Sequence, residues 1–240
     1  MVPIVRGPEA LPLAADITHA DGSEFCVSLR LDPEMVAGTC YHGCMPMGME
    51  LDGRQLLLIK CHEVRSVLDF ANLHTSASTA RRARGLSLEI DRDFRGCLDA
   101  TVSAHPDRWL VDRLCESLVS LHEAPLLGVS FHSIEVYDGG ELVAGEVGYG
   151  CGAVYTSLAA FHRRSGAGSV QLASLGRILE SGGFGFWDLG MDLEYKRRLG
   201  SHLLPWEEFQ ERFRGERDRE ATLAQGRWDC ARLLARSGPR

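Results

Sequence analysis

The stretch from residue 129 to residue 189 constrains the fold most. Val129-Ser130-Phe131-His132-Ser133-Ile134-Glu135-Val136-Tyr137 alternates apolar and polar side chains, the period of a strand with one buried face. Asp138-Gly139-Gly140 then reads as a tight turn. Leu142 to Tyr155 continues as one long strand broken by Gly145, Gly148, Gly150 and Gly152, and repeated glycines in a strand mark a bulge or a backbone closely approached by a ligand. Arg163-Arg164-Ser165-Gly166-Ala167-Gly168 follows, with Ser169 as N-cap of a helix over Val170 to Glu180. Leu172, Leu175 and Leu179 face inward on it, and Ser181-Gly182-Gly183 stops it. Phe184 to Leu189 is a short apolar strand. Strands mingled with helices in this order favour an α/β or α+β sheet domain.

Residues 1–60 read as a small, irregular leading domain punctuated by Pro3, Pro8 and Pro12. Asp32 is placed to cap a short helix, and Met49-Glu50-Leu51 with Leu56 to Ile59 forms a hairpin around Asp52-Gly53. Residues 61–240 make the main domain. Its segment 61–84 has no clear period, and its basic end suggests a helix or loop. Leu86 to Ile90 is a strand, and Asp91 to Ala104 a helix with Phe94, Leu98 and Val102 on one face. Pro106 opens another helix, striped by Leu110, Leu114, Leu118 and Leu121. The last forty residues are charged and helical in pattern, ending in a polar tail, Arg-Ser-Gly-Pro-Arg.

The composition, 45% hydrophobic and 25% charged, is that of a soluble enzyme. Without a long apolar run or a leader, eight cysteines read as reduced thiols of a cytoplasmic protein with no membrane partner. A net charge of −7 argues against broad, non-specific nucleic-acid binding and excludes a DNA-binding role. It leaves room for local phosphate contacts at Arg81-Arg82-Ala83-Arg84, Arg163-Arg164 or Lys196-Arg197-Arg198, each of which is otherwise a solvated face.

Two motifs carry chemistry. Arg163-x-x-Gly166-x-Gly168, between a strand and a helix, has the form of the loop with which GNAT acyltransferases hold the pyrophosphate of acyl-CoA, free N–H groups and helix dipole favouring an anion. Asp188, at the end of an apolar strand, is a carboxylate that is costly there unless paired or used. Cys40, Cys44, Cys61 and His62 are of zinc-binding types, but the spacing is not that of a zinc knuckle, and no metal is expected.

The ordered series Leu31-Asp32-Pro33-Glu34-Met35, Tyr41-His42-Gly43-Cys44-Met45-Pro46-Met47, Trp109-Leu110, Leu121-His122, His132-Ser133-Ile134-Glu135-Val136-Tyr137, Leu142-Val143-Ala144-Gly145, Trp187-Asp188-Leu189-Gly190 and Leu199-Gly200-Ser201 resembles the leucyl/phenylalanyl-tRNA–protein transferases. The resemblance implies a GNAT-like core, α+β with a mixed central sheet, behind a small N-terminal domain. It implies transfer of a Leu- or Phe-like amino acid from the 3′ end of aminoacyl-tRNA to the N-terminus of an acceptor protein, in an N-degron pathway and without a cofactor. It makes Asp188 the catalytic residue. It places Trp109, Tyr155, Leu158, Phe161 and Gly190 around the substrates, and the glycine loop, with Arg163, Gly166 and Gly168, would meet phosphate or ester oxygens.

Two positions depart from the family, and the glycine loop is closer to the acyl-CoA type than to the family's usual Asn-Ala-Ser segment. Ser157-Leu158-Ala159-Ala160-Phe161 stands where the family has Gly-Glu-Ser-Met-Phe, so its Glu is Leu158 here, and the Gln of its Asp-x-Gln is Gly190. Glu135, Glu146 and His132 are the distant residues that could compensate. A CoA-dependent N-acyltransferase using acetyl-CoA, and a catalytically silent binder of aminoacyl-tRNA ends or N-termini, are the alternative readings.

Overall fold

A computed structural model describes residues 2–20, 22–105 and 109–235. The leading segment is more regular than its prolines suggest. β1 (Ile4–Val5), α1 (Leu11–Ala20), β2 (Phe25–Ser28), α2 (Pro33–Tyr41), β3 (Met45–Leu51) and β4 (Arg54–Lys60) build a four-stranded sheet in the order β1-β2-β4-β3. Prolines fit because Pro12 and Pro33 sit in first helical turns, where no intrahelical N–H bond is lost. Asp32 caps α2, its carboxylate accepting from the Met35 N–H at 3.0 Å. The β3–β4 turn falls at Asp52-Gly53, both at positive φ (50° and 72°), which matches the twist of an antiparallel pair.

The unclear segment after residue 60 contributes β5 (Val64–Leu68) and α3 (Ala77–Arg82). β6 (Leu86–Ile90) and α4 (Phe94–Ala104) follow, α4 being capped by Asp93. The next helix, α5 (Asp112–Glu123), starts later than its leucine stripe suggests, and Pro106 lies outside the described residues. The alternating stretch is β7 (Val129–Asp138). The long glycine-broken strand is in fact two, β8 (Glu141–Cys151) and β9 (Val154–His162), because the chain reverses at Gly152 with φ +54°. α6 (Ala167–Ser181) begins at Gly166, φ +83°, rather than at Ser169, and leads into β10 (Phe186–Gly190).

The C-terminal portion is not wholly helical. α7 (Glu194–Leu199), β11 (His202–Pro205), α8 (Trp206–Glu216), β12 (Gly226–Asp229) and α9 (Cys230–Ala235) alternate, and the expected polar tail at 236–240 lies outside the described residues. β11 and β12 are short and carry charged neighbours, so they lack the run of alternation that exposes a strand in sequence. They close the two edges of an eight-stranded sheet ordered β11-β5-β10-β9-β8-β7-β6-β12. All neighbours are antiparallel except β9 and β10, whose parallel pairing requires the α6 crossover between them.

Helices cover both faces. Phe94, Leu98, Leu114 and Leu118 of α4 and α5 pack with Phe131, Val147 and Tyr149, in a cluster that also takes in Leu57 and Ile59 of the small sheet. Val170, Leu175 and Leu179 of α6 fill the opposite face with Leu88, Ile134 and Trp187. Among the described residues, no helix is long and apolar enough to cross a membrane.

At Gly152 a Cβ would lie 2.0 Å from the Arg217 carbonyl oxygen, whereas at Gly139, also at positive φ, it would meet open space. Gly152→Ala should therefore lower the thermal unfolding midpoint by at least about 2 °C, and by more than Gly139→Ala does.

Candidate active site

A candidate site lies where β8, β9 and β10 meet the small sheet. A cavity of about 770 Å³ opens there, lined by Met45, Met47 and Lys60 from β3 and β4, Glu146 from β8, and Ser157 to His162 from β9. Gly168, Ser169, Gln171 and Leu172 of α6 close it on one side. His62, His105, Trp109, Leu189, Gly190, Met191, Leu193, Tyr195 and Lys196 complete the wall. Trp109 is held there through its backbone: its carbonyl accepts from the Gly48 N–H at 2.7 Å, an approach only glycine permits.

Several glycines of β8 do local work. β8 and β9 slip register after Val147: Val147 pairs with Ala159 and Gly148 with Ser157, leaving Leu158 as the extra residue of a bulge. The bulge brings Ser157 onto the face of the sheet that carries Glu146. Gly148 leaves room for the Tyr155 hydroxyl, since a Cβ there would sit 2.5 Å from it. The close approach that the glycines signal is therefore made by a tyrosine of the protein itself. The Glu146 carboxylate accepts from Tyr155 (3.2 Å), Ser157 (2.9 Å) and Gln171 (2.6 Å). Burial pushes its carboxyl above the ordinary glutamate value, against the pull of these donors.

Asp188 lies behind the wall, not in the cavity. It is fully buried and paired bidentately with Arg65 of β5, at 3.1 Å (Nε to Oδ1) and 2.6 Å (Nη2 to Oδ2). The Gly190 N–H and the Thr156 hydroxyl also donate to it, at 2.9 and 3.1 Å. Four donors leave this carboxylate no free site for a substrate proton. Burial disfavours the Arg65 charge, and Asp188 more than offsets this, leaving the guanidinium more basic than usual. The third arm of Arg65 donates from Nη1 to His62 Nδ1 at 2.6 Å. A guanidinium only donates, so His62 must be neutral with its proton on Nε2. Burial and the Arg65 charge together hold the ring pKa down to about 2. Asp188 thus reaches the cavity at second hand, through Arg65 and His62.

Lys196 is a further ionisable group in the wall. Its ammonium donates to the Leu189 and Met191 carbonyls, and burial lowers its pKa to about 8.

The residues expected around the substrates divide. Trp109, Leu158, Phe161, Gly168 and Gly190 line the cavity. Tyr155 is fully buried beneath it, touching it only through Glu146. Arg163 turns outward, its guanidinium over the Phe161 ring and donating to the Leu142 carbonyl, and Gly166 is backed by the Arg82 side chain. His132 is bound to Asp91 and Ser130, and Glu135 to Ser133, Tyr137 and the Asp93 N–H; neither lines the cavity. Of the three distant residues, only Glu146 does. Its partner Gln171 was missed, while His62 and Lys196 were singled out only as a metal-type residue and as part of a basic cluster. Gln171 carried one signal, a polar residue within an otherwise apolar stretch of α6. The cysteines and His62 do not assemble a metal site: among the described residues no three metal-binding side chains converge.

The family described as leucyl/phenylalanyl-tRNA protein transferase matches residues 67–214, from β5 through α8. The chain belongs to this family. A leucyl/phenylalanyl-tRNA–protein transferase of Ruegeria pomeroyi is 32% identical over 76% of this chain and 85% of its own. One of Paramagnetospirillum magneticum is 30% identical over 79% and 92%, and one of Rhodopseudomonas palustris (strain HaA2) 26% over 75% and 81%. The matched segment of this transferase-family chain contains Asp188 and Glu146 but stops short of Arg65 and His62, so half of the buried pairing lies just outside it. Gly190, where the resemblance leads one to look for Gln, has φ +75° and lies against Met45, a conformation that favours glycine.

Removing one partner of a buried ion pair strands the other. Arg65→Met and Asp188→Leu should each destabilise the protein by roughly 3–5 kcal/mol in denaturant unfolding, and the double variant should regain most of that loss. In nitrogen-15 NMR, His62 should show no titration between pH 5 and 8 and should carry its proton on Nε2 throughout.

Proposed function

We propose that this protein is an aminoacyl-tRNA–protein transferase, moving an amino acid from the 3′ end of tRNA onto the α-amine of an acceptor protein, a step that marks the acceptor for an N-degron pathway. The observation that carries this is the cavity itself, which combines apolar walls with a few fixed polar groups inside a chain of this family. Met45, Met47, Trp109, Leu158 and Phe161 supply apolar and aromatic surface for an aminoacyl-adenosine end, the ring of Trp109 being a stacking platform. The chemistry asks for proximity above all. The amine nitrogen bonds to the ester carbonyl carbon, the bond to the ribose oxygen breaks, the amine loses a proton and the ribose hydroxyl gains one.

In this reading Asp188 is a positioning residue. With Arg65 it fixes the Gly190 turn and holds the His62 Nε2–H on the cavity wall, where such a donor suits a developing oxyanion. Parallel β9 and β10 with α6 crossing between them support a GNAT-like core, and residues 1–60 as a separate leading domain fit a boundary between β4 and β5. No cofactor is called for, and the site is that of a cytoplasmic enzyme.

A CoA-dependent N-acyltransferase is the second reading, favoured by Gly168 and Ser169, in the first turn of α6, forming part of the cavity wall. The deciding experiment offers labelled leucyl-tRNA and phenylalanyl-tRNA with peptides that differ in their first residue. Label should move to the peptide's amino terminus. Absence of transfer by folded protein, together with a thermal shift on adding acetyl-CoA, would transfer the assignment to the second reading. The Arg65→Met/Asp188→Leu double variant should fold yet lose activity by about 100-fold, the scale of a 1 Å misplacement.

A further inference from the structure

The deep part of the cavity is formed by side chains that are almost wholly buried: Glu146, Gln171, Leu189 and His62, all between 0% and 3% exposed. Its rim is more open and apolar, with Met191 and Leu193 at 49% and 38%. A carboxylate therefore lies at the depth where an apolar substrate side chain would otherwise be received.

The donors around that carboxylate are all neutral. Tyr155 and Ser157 share Oε1, and Ser157 is itself oriented by the Trp187 ring N–H at 3.0 Å. Gln171 takes one site on Oε2, and a carboxylate oxygen offers two. The basic groups that line the cavity are engaged elsewhere or lie at its rim: Lys196 on the Leu189 and Met191 carbonyls, Lys60 opposite Glu24 at 3.8 Å, and the His105 ring on the Ala160 carbonyl at 3.0 Å, with His162 exposed and His62 neutral. Lys196 acts on Glu146 only at range, and Tyr195 is neutral near pH 7. An oriented, desolvated carboxylate of this kind is completed by a cation. Hydrocarbon placed against it would seal a charge away from water, which is costly.

We infer that Glu146 is the cation receptor of the site, binding the ammonium or guanidinium of a positively charged side chain on one of the two residues being joined. That side chain belongs to the aminoacyl group of the donor, the part that would enter deepest. Gln171 and Ser157 orient the carboxylate, and Leu158 on the neighbouring bulge carries no charge to compete with it. The inference rests on the transferase reading for the identity of the substrates but not for the preference itself.

Two experiments on the full chain test it, each run on wild type and on Glu146→Gln, whose folding is checked by its unfolding midpoint. In calorimetry, argininamide or lysinamide should bind wild type at least about tenfold more tightly than leucinamide, the scale of one charge-assisted hydrogen bond, and Glu146→Gln should erase the difference. In transfer assays, arginyl- and lysyl-tRNA against leucyl- and phenylalanyl-tRNA assign the cation to the donor. Peptides beginning with Arg or Lys against Ala or Leu check the acceptor side. A preference for arginyl- or lysyl-tRNA, seen as a lower KM and lost in Glu146→Gln, supports the proposal. Leucinamide binding as well as the cationic amides, a donor preference that survives Glu146→Gln, or a Glu146-dependent preference confined to the acceptor peptides overturns it. Wild type that transfers from no donor would sink the transferase reading alone, and the amide binding would still decide the role of Glu146.

Discussion

The site depends on one buried ion pair. Arg65 and Asp188 face each other across the antiparallel β5–β10 pairing, both without solvent contact, in surroundings where separate charges could not persist. Removing two charges from water costs several kcal/mol for each ion, and bidentate geometry recovers that only when the remaining polar sites are filled. Here they are: Gly190 and Thr156 complete Asp188, while His62 and the Phe209 ring, 4.8 Å from the guanidinium carbon, complete Arg65. Each of these partners is thereby fixed, and two of them, Gly190 and His62, form cavity wall. The pair is better understood as a device for positioning than as a source of stability.

Chemical polarity in the cavity follows from sheet register. With an unbroken β8–β9 ladder, Ser157 and Ala160, three apart, would point to opposite faces. The extra residue at Leu158 puts them on one face, opposite Gly148 and Glu146. A single inserted residue thus places a hydroxyl against a buried carboxylate, and the missing side chain at Gly148 lets a tyrosine hydroxyl join it. Bulge and glycine are separate local events, yet neither alone would satisfy Glu146.

Much of the frame was legible from the sequence because it is local. The Asp32 cap, the Asp52-Gly53 hairpin, β6, α4 and β7 all announce themselves within a dozen residues through capping chemistry or period. β11 and β12 did not, since short edge strands draw their pairing from distant partners rather than from alternation. The split of the long strand at Gly152 was hidden because glycine in a strand signals bulge and turn alike. In the site, Trp109, Leu158, Phe161 and Gly190 were placed by resemblance and Gly168 by the glycine loop, and all five line the cavity. Asp188 was marked as a carboxylate to be either paired or used; it is paired, and its partner is 123 positions away, with no periodicity connecting the two.

The same distance separates what a family resemblance can transmit from what a structure adds. A motif compares positions one at a time, so Leu158 and Gly190 read as losses, a carboxylate and an amide gone. Charge in a cavity is not tied to position. Glu146 on the adjacent strand and Gln171 on the helix above it place a carboxylate and a carboxamide 2.6 Å apart within the same cavity. Glu146, fully buried on β8, lies deeper than the half-buried position of Leu158 on the β9 bulge, so it meets a different part of whatever enters. On the proposed reading a carboxylate there alters which side chain the site welcomes and leaves the sheet that presents it unchanged, so that fold and family are compatible with a different selectivity.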